Sequence, residues 1–496
     1  MFTLTIQTGS QQISVPAQDG VLLSDLLARH IPTFAMPCGG NHTCGKCRVY
    51  AEGALSPPDA EEQRLLGDAC TQGMRLACSC RVLGTARVVL PQAQTGKILS
   101  WYRLPTFPRT ETGYGFAVDI GTTTVVVQLI DRSNGTILAE QMAENAQRSF
   151  GADVISRIEA CKTVGVETLS QRIALQLEDM AAACLAQSGI PQVCESVVTG
   201  NPTMLHLYEG LDPSSLAVAP FHVSSYFGGL SRRTLAGKPV YLPRCVGSYV
   251  GADILCAALA ANPPSGQTWI LADIGTNGEI LLSHNGSLLC CSTAAGPAFE
   301  GAGLHCGMPA QPGAIRLVRQ ESGQVVYQTV ADAPARGICG SGILDALAVM
   351  LETDSLAVSG FLSAPWQIGQ SAVTIMQKDI RQIQLAKASV CAGIQTLLEH
   401  AHLQTRDVDR FIIAGGFGNS INPASAAAIG LFPASLQDRL QFIGNGALAG
   451  ASMLLSNPSL RNNMELAAQQ ATELSLSASP EFMDHYIECM SLEPVE

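Results

Sequence analysis

Apolar and polar residues alternate through FTLTIQT (2–8) and QISVPA (12–17), which predicts two half-buried strands joined as a hairpin at Gly9-Ser10. LLSDLLARH then spaces its leucines for one face of a short helix, with Ser24 or Asp25 near its start. CRVYAEG reads as a returning strand, DAEEQRLLG as a second helix, and RLACSCRVLGTARVVL as the strand that closes the sheet. Residues 91–112, PQAQTGKILSWYRLPTFPRTET, hold three prolines and no periodicity, and read as a linker. Beyond them FAVDIGTTTVVVQLI predicts an apolar hairpin with an acidic-glycine-threonine turn, and WILADIGTNGEILLS repeats that grammar. The two turns lie 154 residues apart (119 to 273), an internal duplication rather than a short solenoid repeat. Helical periodicity follows each copy, in ADVISRIEAC and QRIALQLEDMAAACLAQ after the first, and in GSGILDALAVMLE and AKASVCAGIQTLLEHAHL after the second.

Composition sharpens this picture. At 496 residues the chain is long enough for three or four compact units, and 47% hydrophobic against 14% charged residues, with 47 glycines, fits packed α/β units joined by glycine turns. A net charge of -12 without any basic tract argues against a nucleic-acid binder. Acids and bases balance over residues 1–95, so the acidic surplus lies downstream. The N-terminus has neither a basic n-region nor an apolar h-region, and no apolar run reaches transmembrane length, so no membrane partner is expected and the cytoplasm is the expected location. There, seventeen cysteines are reduced thiols, and clustered ones are better read as metal ligands than as disulfides.

The cluster is PCGGNHTCGKCRV (37–49), with Cys38-x5-Cys44-x2-Cys47, followed by Cys78 and Cys80 in LACSC. The order hairpin, helix, cysteine loop is the pattern of a β-grasp ferredoxin. The first gap is one residue longer than the plant-type C-x4-C-x2-C, as in the adrenodoxin-like ferredoxins. Zinc is the rival, but zinc sites usually pair two C-x2-C knuckles, and Gly39, Gly40 and Gly45 let backbone N–H groups turn toward cluster sulfurs. The reading is a 2Fe-2S cluster on Cys38, Cys44, Cys47 and Cys78, with Cys80, on the same face of the strand, and Cys70 left as alternatives for the last ligand. Cys161, Cys184, Cys194, Cys256, Cys290, Cys291, Cys391 and Cys489 have no partner at ligand spacing and read as core. His42 reads as an exposed loop residue and His206 as structural.

The duplicated turns carry different chemistry. A strand ending in Asp, then Gly, then hydroxyl residues can set backbone N–H and threonine hydroxyls on phosphate oxygens while the carboxylate holds hydrated Mg2+. FIIAGGFGNSIN, with Gly415 and Gly416, leaves room for adenine or ribose against backbone, and VVTGNPTM, AAGPAFEGAGL, GICGSG and FIGNGALAG add further glycine turns. No Walker A sequence is present.

That order resembles the superfamily of actin, the sugar kinases and the heat-shock chaperone ATPases (ASKHA, ribonuclease H-like). Within it, the N-terminal cysteine unit, DIGTTTVVVQL, GNPTMLHL, DPSSLAVAPF, YVGADILCA, ADIGTNGEI, AAGPAFEGAG, GICGSGILD and AGGFG resemble the reductive activators of corrinoid proteins over essentially the whole chain except the linker. The resemblance implies a multidomain α+β and α/β chain: a β-grasp 2Fe-2S ferredoxin domain at 1–90, a linker at 91–112 and a two-lobed ATPase at 113–496, its lobes dividing near residue 265. It implies ATP and Mg2+ as further cofactors, and partners in a corrinoid protein, an upstream low-potential electron donor and a second copy joined through the ATPase. It implies Asp119 and Asp273 at Mg2+ and the attacking water. Gly121, Thr122, Thr123, Thr124, Gly275, Thr276 and Asn277 fall to the phosphates, and Gly415 and Gly416 to adenosine. Asp253 and Glu300 are candidate polar partners. The implied reaction is ATP-dependent, one-electron reduction of Co(II) to Co(I). A plant-type cluster sits near about -400 mV and each 59 mV uphill loses about tenfold, which is why ATP belongs in the scheme. A non-enzymatic ATP-gated scaffold and an activator of a radical-type dehydratase are the alternatives. The family can carry a separate middle domain between iron-sulfur unit and ATPase, whereas here about twenty linker residues occupy that place.

Overall fold

The computed structural model of the chain describes residues 2–8, 11–31, 34, 45, 47–90, 102, 104–415 and 421–496. In the N-terminal unit, β1 (Phe2–Thr8) and β2 (Gln11–Ala17) pair antiparallel with Leu4 opposite Val15 and Ile6 opposite Ile13, the register that their alternation demands. Helix α1 (Leu23–His30) buries Leu23, Leu26 and Leu27, and β3 (Arg48–Leu55), α2 (Ala60–Leu66), β4 (Met74–Leu76) and β5 (Arg81–Leu90) complete the unit. The sheet order is β2-β1-β5-β3-β4, with β1 parallel to β5. Leu4, Ile6, Val49, Val82 and Val88 share one core with the leucines of α1.

One expectation here is corrected. RLACSCRVLGTARVVL is not one strand: residues 77–80 form a tight turn in which Ser79 N–H and Cys80 N–H both donate to the Leu76 carbonyl at 3.0 Å. The break has its cause in one buried carboxylate. Glu62 is fully buried, takes the Arg75 guanidinium at 2.9 and 3.0 Å, and accepts Leu76 N–H at 2.6 Å, capturing the backbone donor that would otherwise face solvent or another strand.

The rest of the chain builds two similar halves. In the first, β6 (Tyr114–Ile120), β7 (Thr124–Asp131) and β8 (Ile137–Glu144) form an antiparallel meander. Helices α3 (Val154–Val164) and α4 (Val166–Ser188) lead to β9 (Glu195–Gly200), which lies parallel to β6. Helix α5 (Pro202–Glu209), β10 (Gly229–Leu235) and β11 (Lys238–Leu242) follow, giving the order β10-β11-β9-β6-β7-β8. Helix α6 (Ala252–Ala261) then crosses toward the second half.

The second half repeats the plan. A meander of β12 (Trp269–Ile274), β13 (Gly278–His284) and β14 (Ser287–Thr293) is extended on the β12 side by parallel β17 (Arg410–Ala414) and β18 (Leu440–Gly444). Between them come a hairpin of β15 (Ala314–Glu321) and β16 (Gln324–Thr329), α7 (Gly340–Glu352) and the long α8 (Gln377–His400). Helices α9 (Pro423–Ala428), α10 (Gly446–Ser456), α11 (Ser459–Gln470) and α12 (Pro480–Glu488) complete the chain. Both halves share this order, a meander flanked on one side by parallel strands.

Each half has its own apolar core, and a third core lies between the two sheets, where α6 and α10 cross. The crossing is close because Gly450 has no side chain: a Cβ there would lie 2.1 Å from the Cys256 carbonyl oxygen. No helix among the described residues is long and apolar enough to cross a membrane.

Candidate functional site

The first turn leaves β6 after Ile120 and enters β7 at Thr124, closed by Gly121 N–H donating to the Thr124 carbonyl at 3.0 Å. Its outer side is held by residues the motifs did not single out. Asn145 Nδ2 donates to the Gly121 carbonyl at 2.8 Å, Asn201 Nδ2 to Thr122 Oγ1 at 3.0 Å, and the fully buried Arg157 guanidinium to the Thr122 carbonyl. Burial lowers Arg157 to about 9. Thr122 is thus turned into the protein, while Thr123 faces across to the second turn.

The second turn runs from Ile274 to Gly278 through Gly275, Thr276 and Asn277. Thr276 Oγ1 lies 3.3 Å from Thr123 Oγ1, so the two copies of the motif, distant in sequence, meet hydroxyl to hydroxyl. Glu300, at the end of the short turn Pro297–Glu300, spans them. Its Oε1 accepts Thr276 N–H and Thr276 Oγ1 at 2.9 Å each, and its Oε2 accepts Thr123 Oγ1 at 2.5 Å.

Behind the turns the carboxylates gather. Asp119 accepts Asn445 Nδ2 at 2.9 Å, and Asn445 in turn caps α10 through Leu448 N–H at 2.8 Å. Asp253 stands in the first turn of α6, so the N-terminal ends of both crossing helices are directed at the acidic group. Burial pushes Asp119 up to about 7, against the lowering pull of Asn445. Burial, with the charges of Asp253, Asp119 and Glu300, pushes Asp273 up to about 8. Glu279, opposite Asp273 in the β12–β13 register, lies against Asp253 and is raised well above the carboxylate range by burial and by that neighbour's charge. A buried set of acids at these values is what a cation would bring to full charge. Among the described residues no three His, Cys, Asp or Glu converge as a direct metal cage, and Mg2+ does not need one: it takes one or two carboxylates and keeps water and phosphate oxygens. The donor chemistry of Asp119 and Asp273 fits that habit.

Glu279 and Asn445 escaped the sequence reading although each left a signal. Glu279 is the one charge inside the apolar GEILL, and Asn445 sits where a strand gives way to the helix GALAGASMLL, the usual place for a cap. Thr124 opens β7 and Asn277 ends the second turn, both half-buried. Gly415, at φ +93°, packs on the second motif: a Cβ there would lie 2.6 Å from Asp273 Oδ1. Gly416 lies outside the described residues.

In the N-terminal unit, Cys47 Sγ and Cys78 Sγ are 3.3 Å apart and buried, too far for a disulfide and close enough to share an acceptor. Ala77 N–H donates to the Cys47 carbonyl at 2.9 Å, docking the 77–80 turn onto the end of the cysteine loop. The expectation that Cys78 and Cys80 share a strand face is corrected. The turn sends Cys78 to Cys47 and Cys80 into the core, where burial raises its thiol to about 11. Cys38, Cys44 and His42 lie outside the described residues. Two soft sulfur donors converging in this way suit an iron-sulfur group. Of the cysteines read as core, Cys184, Cys256, Cys290, Cys291, Cys391 and Cys489 are buried, whereas Cys161 is half-buried and Cys194 is exposed. His206 is buried and bonded to the Pro202 carbonyl at 2.7 Å and Ser224 Oγ at 2.9 Å, a structural residue.

Residues 114–262 match the family model described as the RACo middle region, and residues 267–496 the one described as the C-terminal domain of RACo, the ASKHA domain. The match to the middle region therefore falls on the first half of the duplicated structure, after the linker at 91–112. The chain is 32% identical over 431 residues to a corrinoid activation enzyme, RamQ, of Eubacterium limosum, covering 77% of this chain and 71% of that protein. It is 25% identical over 422 residues to the [Co(II) methylated amine-specific corrinoid protein] reductase of Methanosarcina barkeri, covering 75% and 76%. Among solved structures it is similar to a reductive activator for a corrinoid, iron-sulfur protein, with a TM-score of 0.70 and 26% identity, over 99% of this chain and 98% of that one.

Proposed function

This chain belongs to the family of reductive activators of corrinoid proteins, and on that premise we propose that it restores a partner corrinoid protein by ATP-dependent, one-electron reduction of Co(II) to Co(I). The observation that carries the ATP part is the meeting of the duplicated turns, with Thr123 and Thr276 hydroxyls 3.3 Å apart above Asp119 and Asp273. Asp119 and Asp273 would hold Mg2+, with Gly121, Gly275, Thr123, Thr276 and Asn277 on the phosphates, Thr122 and Thr124 shaping the first turn, and Gly415 and Gly416 near the adenosine. Asp253 and Glu279, buried beside Asp273, keep a proton within the acidic group. The crossing of α6 and α10 gives the two halves a common pivot, so that closing them on nucleotide changes the surface offered to a partner.

The N-terminal unit has the strand order of a β-grasp, and Cys38, Cys44, Cys47 and Cys78 would hold a 2Fe-2S cluster there. Such a cluster supplies a one-electron carrier when bound. The protein's own part is to bury Cys47 against the 77–80 turn that carries Cys78 and keep solvent from both. Charge balance requires an upstream low-potential donor to provide the electron. A homodimer through the ATPase halves is part of this reading.

The test is anaerobic mixing of the reduced protein with a Co(II) corrinoid protein of a methyltransferase system, with and without Mg-ATP, while following the Co(I) absorption. Co(I) should form with ATP, and ATP turnover should rise when the corrinoid protein is present. Equal Co(I) yield without nucleotide would sink the ATP coupling, and no Co(I) with any such partner would sink the function.

A further inference from the structure

Turns of this kind hold phosphate oxygens through backbone N–H groups and threonine hydroxyls. Here those donors already serve an anion. The Glu300 carboxylate takes Thr276 N–H and Thr276 Oγ1 on one oxygen and Thr123 Oγ1 on the other, drawing one donor from the first half and two from the second. The local charge is mixed: the buried Arg157 guanidinium of the first half attracts it, while it adds repulsion to the Asp273 carboxylate beside it. The three donors fix where its two oxygens sit. Pro297–Glu300 is a single short turn, entered through Gly296 at φ +72° and left through Gly301 at φ +76°, with Ala298 and Phe299 seated in the core and Glu300 at its outer end.

We propose that Glu300 is an internal stand-in for a nucleotide phosphoryl group: its carboxylate latches the two turns together, and incoming phosphate must displace it to reach Thr123 and Thr276. The inference rests on the nucleotide reading above. Two anions cannot share the same three donors, so the latch lowers the apparent nucleotide affinity by the fraction of molecules in which it is closed. Displacement also removes the Glu300 tether from residues 297–301 while Ala298 and Phe299 stay in the core, so occupancy of the turns is signalled to the segment that precedes the β15–β16 hairpin.

The test uses the full chain. Titration of wild type and Glu300→Gln with a fluorescent ADP analogue and with Mg2+ plus a non-hydrolysable ATP analogue should give binding at least about tenfold tighter in the variant, equivalent to about 1.4 kcal/mol. In wild type, amide hydrogen exchange over residues 294–303 should speed up on adding the ATP analogue. If Glu300→Gln does not fold, the wild-type exchange result decides. Equal or weaker binding by a folded variant, or slowed or unchanged exchange at 294–303, overturns the latch; weaker turnover at unchanged affinity would instead assign Glu300 to the attacking water. A wild type that binds neither nucleotide overturns the nucleotide reading itself, and the latch with it.

Discussion

Cys78 and Cys80 are two residues apart and both buried in the N-terminal core, yet the turn that carries them sends the Cys78 sulfur to within 3.3 Å of Cys47 and the Cys80 sulfur toward the Arg75–Glu62 pair. Cys78→Ser should therefore abolish the iron-sulfur absorption of the anaerobically purified protein. Cys80→Ser should keep the absorption and lower stability by about 1–3 kcal/mol, the cost of a buried hydroxyl without a partner. Loss of absorption only in the Cys80 variant would move the ligand. His206 gives a second test at this scale. Burial depresses its pKa, so the folded state holds it neutral, donating to one neighbour and accepting from the other. A base with a depressed folded pKa contributes stability that is present above its ordinary value near 6.5 and is lost as pH falls below it. Between pH 7.5 and 5.5, wild type should lose about 1 kcal/mol more stability than His206→Asn, read from urea midpoints at both values. The strings LACSC and MLHL point to the Cys78 ligand and to a structural His206, but the neighbours that set both behaviours are brought up only by the fold.

Elements were more legible than contacts. The hairpins around Asp119 and Asp273 follow from apolar runs interrupted by Asp-Gly-Thr, and the helices from their periodicity, so the duplication was visible before any coordinates. The break after Leu76 was not visible. It depends on Glu62, thirteen residues before Arg75, becoming buried and capturing both the arginine and a backbone N–H. Nor does a glycine inside GALAGASMLL announce that another helix crosses at that point. Gly450→Ala removes the best-known defect of a helical glycine, about 1 kcal/mol, yet it drives a Cβ to 2.1 Å from the Cys256 carbonyl between two packed sheets. Overpacking of about 1–3 kcal/mol should win, with a net loss of about 1 kcal/mol or more and a lower thermal midpoint. A midpoint that rises would mean that α6 and α10 can separate freely.

Across the whole molecule, the two halves are tied on the side away from the turns. Arg461 of α11 holds Glu195 of β9 by two bonds of 2.9 and 2.8 Å and stacks on Tyr241 at 4.4 Å, while Arg132 reaches both the Leu455 carbonyl and Glu111 at the end of the linker. Arg461→Ala should cost about 1.5–3 kcal/mol, seen as a lower denaturant midpoint, and should loosen the pivot so that protease cleaves between the halves sooner. Unchanged cleavage would show that the α6–α10 crossing carries the joint alone. The order of apolar strands, cysteine spacing and paired acidic turns was enough to give the architecture, the family resemblance and the residue types of each site, because periodicity and turn chemistry are local. Which sulfur meets Cys47, which carboxylates gather behind the turns, and the bridging of Thr123 to Thr276 by Glu300 came from long-range packing. Those pairings are set by the crossing of two helices and the closing of two sheets, which no local stretch of sequence encodes.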